Sequence, residues 1–184
     1  MADFDAAEVA QGIQELYEPL AEDNGLMLSV QAESAPLHGN RELISQALAN
    51  LVENAIKYGQ PKPAAQPLEA DTAAAGMTAT TDKTILIEAR REGDRVILGV
   101  TDHGSGIPEA DRKHAIERFV RLEASRTLPG SGLGLSLASA VATLHGGDLI
   151  LSDAQPGLRA TLSIPARSGE GLAAPTPDVQ QNGA

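Results

Sequence analysis

An apolar stripe at helical spacing, formed by Ile44, Leu48, Leu51, Val52 and Ala55, commits residues 41–58 to a helix with one buried face. Asn40 stands where an N-cap belongs, which sharpens the start. The shoulder beside the stripe carries Asn50, Asn54, Lys57 and Tyr58, so polar groups border whatever surface the stripe packs against. Glu53 falls nearly opposite the stripe and by spacing pairs with Lys57. Only four aromatic side chains occur, Phe4, Tyr17, Tyr58 and Phe119, so the core around this helix has to be built from Leu, Ile, Val and Ala.

The rest of the chain arranges itself around that helix. Val9, Ile13, Leu16 and Leu20 give a helical period over 5–23, with Pro19 weakening its end. Leu26, Leu28 and Val30 alternate as a short strand. The runs 84–91 and 95–101, joined by Glu92-Gly93-Asp94, predict an antiparallel hairpin that Asp102 closes. A helix fits 133–145 and ends at Gly146-Gly147, and a last hairpin joins Leu149–Ser152 to Ala160–Ile164 across Gln155-Pro156-Gly157. Residues 60–82, with three prolines and no sustained period, read as a long flexible loop, and 167–184 as a disordered tail.

Charge and composition exclude several classes of function. With 14 Lys+Arg against 25 Asp+Glu the formal charge is −11, which repels duplex nucleic acid and anionic membranes, so neither is an expected partner. The absence of cysteine excludes disulfides, thiolate zinc sites and cysteine nucleophiles. No apolar run reaches bilayer length and the acidic opening MADFDAAE lacks a secretory pattern, so the expectation is a cytoplasmic chain. At 184 residues one well-buried domain is expected. His38, His114 and His145 have no metal-like spacing and read as structural or solvated.

Three segments, and a basic stretch between the last two, carry chemistry suited to a purine nucleotide. An Asn carbonyl oxygen is a hard ligand that coordinates Mg²⁺ without adding negative charge near phosphates, which makes Asn54 the candidate metal ligand. Lys57 can reach phosphate as a point charge, and the Tyr58 ring can cover a purine face. In DHGSGIP, Asp102 can accept from the exocyclic amine of adenine, Gly104 and Gly106 let the chain pass close beneath the base, and Ile107 offers an apolar wall. GSGLGLSLA puts Gly132 and Gly134 before a helix whose first N–H groups favour anions. Arg118, Arg121 and Arg126 lie in a polar, basic stretch that reads as a lid able to meet a γ-phosphate, with Phe119 as its apolar pin. Each segment by itself also fits a plain reading: a solvated helix shoulder, a turn after a strand, a glycine-rich helix entry, a charged surface helix.

Taken together in this order, the segments resemble the ATP-binding catalytic domain of bacterial sensor histidine kinases, in the superfamily shared with type II topoisomerases and mismatch-repair ATPases. NLVENAIKY resembles the N box, DHGSGIP the first glycine box, AIERFVR with EASR the F box, and GSGLGL the second glycine box. The resemblance covers about 5–165 and implies an α/β two-layer sandwich, the Bergerat fold, with a mixed, mostly antiparallel sheet backed by three helices and a flexible ATP lid over 108–131. It divides the chain into an N-terminal helix at 1–24, a catalytic domain at 25–166 with the 60–82 insertion, and the tail.

Residue by residue, the resemblance implies Mg²⁺ on Asn54 assisted by Asn50, and Lys57 and Tyr58 at phosphate and base. Asp102 with Gly104, Gly106 and Ile107 then falls at adenine, Arg118 and Arg121 in the lid, and Gly130, Ser131, Gly132, Leu133 and Gly134 at the phosphates. The cofactors it implies are ATP and Mg²⁺. Hydrolysing relatives carry a glutamate one turn before the metal-binding asparagine; here that position is Asn50, which favours transfer to protein.

The chain departs from the family pattern at His103, in place of Asn, at Ile116, in place of Phe, and in the length of 60–82. It has no phosphoacceptor motif of the Ser-His-Glu-Leu-Arg kind. The expectation is therefore a monomeric piece of a homodimeric kinase whose acceptor histidine lies on a separate dimerisation domain, with a response regulator further downstream. Alternatives in other classes are a nucleotide-binding regulatory or scaffold module without transfer activity, and a protein serine kinase of the anti-sigma type.

Overall fold

The computed structural model describes residues 1–59, 83–117 and 133–166. Strand β1 (Ala2–Asp5) leads into helix α1 (Ala6–Asp23), followed by β2 (Met27–Ala32), β3 (Pro36–Gly39) and α2 (Arg41–Tyr58). Beyond residue 82 come β4 (Thr84–Glu92), β5 (Arg95–Thr101), α3 (Glu109–Ile116), α4 (Gly134–Leu144), β6 (Asp148–Asp153) and β7 (Leu158–Pro165). The 60–82 loop, the tail from 167, and the F-box and second-glycine-box residues 118–132 lie outside the described residues.

Five strands form one sheet in the order β2-β4-β5-β7-β6. The β2–β4 pair is parallel and the other three pairs are antiparallel, the mixed sheet expected from the resemblance. The parallel pair needs a crossover between its strands, and α2 lies within that connection. Along β4, Ile85, Ile87 and Ala89 are buried; Val96, Leu98 and Val100 answer from β5 and Ala160, Leu162 and Ile164 from β7. This period-two set meets the α2 stripe, where Ile44, Leu48 and Val52 have no exposed surface. Burying each such side chain contributes about 1.5–3 kcal/mol. Alanines at 10, 47, 138 and 142 keep the packed helix faces low, so the core closes without large aromatics.

Both hairpins fall where the sequence puts them, and α2 has the expected bounds. The Asn40 side chain caps α2 by accepting from the Leu43 N–H at 3.0 Å. Two details differ. α1 runs through Pro19 to Asp23, and its buried positions are Ala6, Val9, Ala10, Ile13 and Ala21, whereas Leu16 and Leu20 are exposed. The periodic stripe is longer than the surface α1 meets in this domain. Strands β1 and β3 pair with each other as a separate two-stranded ribbon, Phe4 opposite Leu37, which the sequence reading did not anticipate.

On the sheet face away from the helices, Glu88 lies opposite Gly99 on β5. The missing Cβ there lets the Glu88 carboxylate cross over β5 to stand 2.9 Å from Arg159 on β7, close enough for an ion pair. Its other oxygen pairs with Arg90 at 2.9 Å.

Candidate functional site

Three segments converge at one edge of the helix layer: the C-terminal end of α2, the loop that follows β5, and the start of α4. Asn54, Lys57 and Tyr58 are half-buried at the end of α2, as their shoulder position requires. A Cβ on Gly134 would sit 2.9 Å from Asn54 Nδ2, so the α4 entry rests directly on the candidate metal-binding amide. The backbone of the post-β5 loop is pressed as closely against α2. At Gly104 a Cβ would land on the Tyr58 carbonyl oxygen and 2.8 Å from the Gly59 Cα, so no side chain fits between the loop and the helix end.

Asp102 anchors this loop. It is 7% exposed, and its Oδ1 accepts the Gly104 N–H at 2.9 Å and the Leu158 N–H at 3.3 Å. Neither bond uses Oδ2. Burial raises the Asp102 pKa above the ordinary value; the two backbone hydrogen bonds and the neighbouring His103 pull the other way but do not outweigh it. The Asp102 N–H in turn donates to the Leu158 carbonyl at 3.0 Å, so the loop is stitched to the first residue of β7 from both directions. Gly157, with φ of +111°, packs its backbone onto the Asp102 carbonyl, and a side chain there would collide with it.

Around this floor, His103 Nδ1 lies 3.0 Å from the Thr84 carbonyl and donates to it, tying the loop to the start of β4. Gly106 turns the loop with φ of +65°, Ile107 packs against the core, and Arg112 of α3 donates to the Ile107 carbonyl at 3.0 Å. The Lys57 ammonium stands 5.1 Å from the centre of the Tyr58 ring, a cation–π distance that holds both at the mouth of the site. Leu133 precedes α4, and among the described residues no side chain caps the helix start, where N–H groups lack an intrahelical acceptor.

Of the residues singled out from sequence, the structure brings together Asn54, Lys57, Tyr58, Asp102, Gly104, Gly106, Ile107, Leu133 and Gly134 around these contacts. Asn50 lies one turn before Asn54, and its Nδ2 donates to the Gln46 carbonyl at 2.9 Å, which leaves its carbonyl oxygen and second N–H for other work. Arg118, Arg121, Arg126, Phe119, Gly130, Ser131 and Gly132 lie outside the described residues. Glu53 does not take Lys57 as its partner: its Oε1 accepts the Tyr17 hydroxyl from α1 at 2.6 Å, because α1 packs along that side of α2. His38 faces Asp3 at 2.6 Å, His114 faces Glu117 at 3.4 Å, and His145 Nε2 accepts the Asn40 N–H at 3.0 Å, which gives each histidine a local structural bond.

Gly59, Gly157 and Leu158 belong to the site and were missed from sequence. The turn containing Gly157 was legible, but its contact with Asp102 is tertiary and leaves no local signal. Among the described residues no group of three or more His, Asp or Glu side chains is placed to hold a metal, so a cation here would depend on Asn54 and on oxygens carried by a ligand.

Residues 39–168 match the family model described as "Histidine kinase-, DNA gyrase B-, and HSP90-like ATPase". The chain is 32% identical over 136 residues to the signal transduction histidine-protein kinase/phosphatase MprB of Mycobacterium leprae, covering 74% of the chain and 22% of that protein. It is 30% identical over 169 residues to the sensor protein IrlS of Burkholderia pseudomallei, covering 90% of the chain and 32% of that protein. The chain thus spans about a third or less of these curated relatives. Among solved structures, a mycobacterial sensor histidine kinase MprB superposes with a TM-score of 0.68 at 24% identity, covering 90% of this chain and 97% of that one; at this identity the likeness speaks to the fold.

Proposed function

The chain belongs to the histidine kinase-, DNA gyrase B- and HSP90-like ATPase family, and from that premise we propose that it is the ATP-binding catalytic unit of a sensor histidine kinase. Its reaction is transfer of the γ-phosphoryl group of ATP to a histidine on a separate dimerisation domain. An imidazole nitrogen of that histidine attacks the γ-phosphorus, the bond to the β–γ bridging oxygen breaks, and ADP leaves.

One observation carries this reading: a buried carboxylate whose two backbone bonds both fall on one oxygen. Asp102 Oδ2 is then available to accept from the exocyclic amine of adenine, while Gly104 lets the loop that carries Asp102 lie directly against the end of α2. Tyr58 and Ile107 border the ring, Lys57 offers its charge to phosphate, and the uncapped start of α4 offers N–H groups to the same phosphates. Asn54, with the oxygen of Asn50 beside it, would hold Mg²⁺, whose positive charge would offset charge on the transferring group. Arg118 and Arg121 would reach the phosphates from the lid, and Gly130, Ser131 and Gly132 would complete their cradle.

Transfer is favoured over hydrolysis by what stands near Asn54. The position one turn earlier is the amide Asn50, which cannot take a proton from water, and the adjacent carboxylate Glu53 is turned toward α1, where one of its oxygens accepts the Tyr17 hydroxyl. The reaction therefore needs a nucleophile brought by a partner, the dimerisation domain, with a response regulator receiving the phosphoryl group afterwards. Among the described residues no helix is long and apolar enough to cross a membrane.

The test is calorimetric titration with ATP, ADP and GTP with and without Mg²⁺, followed by incubation with a dimerisation domain supplied in trans. Saturable adenine-selective binding and an acid-labile phosphohistidine on the partner are expected. Absence of saturation at millimolar ATP would remove the proposal.

A further inference from the structure

Helix α1 carries Ile13, Leu16, Tyr17 and Leu20 at i, i+3, i+4 and i+7, a single stripe that the domain buries only at its beginning. Ile13 is 6% exposed, but Leu16 is 68% and Leu20 45% exposed. Isolated surface leucines are ordinary. Leu16 lines a groove of about 330 Å³ between α1 and α2, with Gln46 and Ala49 on its far wall, and Leu20 follows it one turn on along the same helix. Anchors four residues apart beside a groove between two helices match the way an amphipathic partner helix is held.

Charge decides which occupant fits. α1 contains Glu8, Glu15, Glu18, Glu22 and Asp23 and no basic residue, and α2 adds Glu42 and Glu53 against the single Arg41 near the groove. A second copy of the chain would set one acidic helix against another, within a protein whose net charge is already −11. We propose that the α1–α2 groove is a docking surface for a basic amphipathic helix of a partner protein, with Leu16 and Leu20 as anchors. This surface is lined by Arg41, Glu42, Ser45, Gln46 and Ala49 of α2 and includes neither Asn50 nor Asn54.

The probe is a helical peptide of Leu, Lys and Ala with leucines at i, i+3, i+4 and i+7, titrated into the ¹⁵N-labelled full chain. Saturable amide shifts confined to residues 13–20 and 42–53 are expected. Leu16→Glu with Leu20→Glu, or a scrambled peptide that breaks the leucine stripe, should weaken binding roughly tenfold or more. Both substitutions are at exposed positions, and an unchanged thermal melt verifies their folding. Shifts scattered over all acidic residues, equal binding by a Glu-for-Lys peptide, or binding indifferent to Leu16 and Leu20 would each overturn the proposal. So would concentration-dependent dimerisation abolished by the double substitution, which would assign the groove to a second copy.

Discussion

Replacing Asp102 by Asn should move folding stability and nucleotide affinity in opposite directions. In the native protein Oδ1 accepts two backbone N–H groups, and an Asn Oδ1 can accept the same two. What Asn removes is the charge that burial disfavours. Because burial raises the native pKa above its ordinary value of 3.8, the stability linked to this group is complete below that value and is lost as pH rises through the native pKa. At neutral pH the carboxylate therefore weighs against folding, and Asp102→Asn should leave Tm unchanged or raise it.

Binding should suffer, because Oδ2 becomes an NH₂ group facing the adenine amine, donor against donor. Hydrogen bonds to charged groups are worth about 1.5–3 kcal/mol, so the dissociation constant for ATP should rise roughly 10- to 150-fold. Thermal unfolding and calorimetric titration on the same preparation read both quantities. A variant that melts several degrees lower yet binds ATP as tightly as the native chain would refute the reasoning, since Asp102 would then be a structural group alone.

Gly157→Ala should be severe and Gly12→Ala beneficial: the first combines a left-handed φ with a collision at the Asp102 carbonyl, for about 2–5 kcal/mol lost, while the second adds a methyl in open space on α1 and should gain about 0.5–1 kcal/mol; denaturant unfolding ranks them. Tyr17 has its pKa pushed up to about 12 by burial and by Glu53, so the tyrosinate absorbance that Tyr17→Phe removes should appear only near that pH. Its contribution to stability is intact below the ordinary value of 10.0 and declines as pH climbs through the raised one, which alkaline unfolding of the two proteins will follow. Burial disfavours the charge of Asp5, but the N–H groups of Ala35 and Ala7 and the Ser34 hydroxyl overcome it and hold its pKa below 3.8. Asp5→Ala should therefore cost about 0.5–2 kcal/mol at neutral pH, with the difference from the native chain shrinking as acid titrates the native carboxylate, measured by thermal unfolding.

The contrast between α2 and the β1–β3 ribbon explains how much of the fold could be read from sequence. α2 announces itself because its cap, its stripe and its polar shoulder are all local, and its bounds follow. β1 and β3 are four residues each, ADFD and PLHG, too short for alternation to register, and they exist because they pair with each other across α1 and β2. Leu16 and Leu20 show the opposite failure, since periodicity says that a stripe can be buried but not where the matching surface ends. Within the candidate site, Asn54, Asp102 and Gly104 could be proposed from sequence because their segments stand in a recognisable order, although each segment alone also fits a plain reading. Gly157 and the Tyr17–Glu53 bond were not, because each depends on which distant segment arrives beside it.

Where main chain touches main chain at Gly104 and Gly157, mutation has no gradual step to offer, because the smallest replacement already introduces a carbon where none fits. The base of the site is in that sense closed to revision. On the proposed reading, a change in which flat ring is accepted has to begin at Tyr58 and Ile107, positions that already carry side chains.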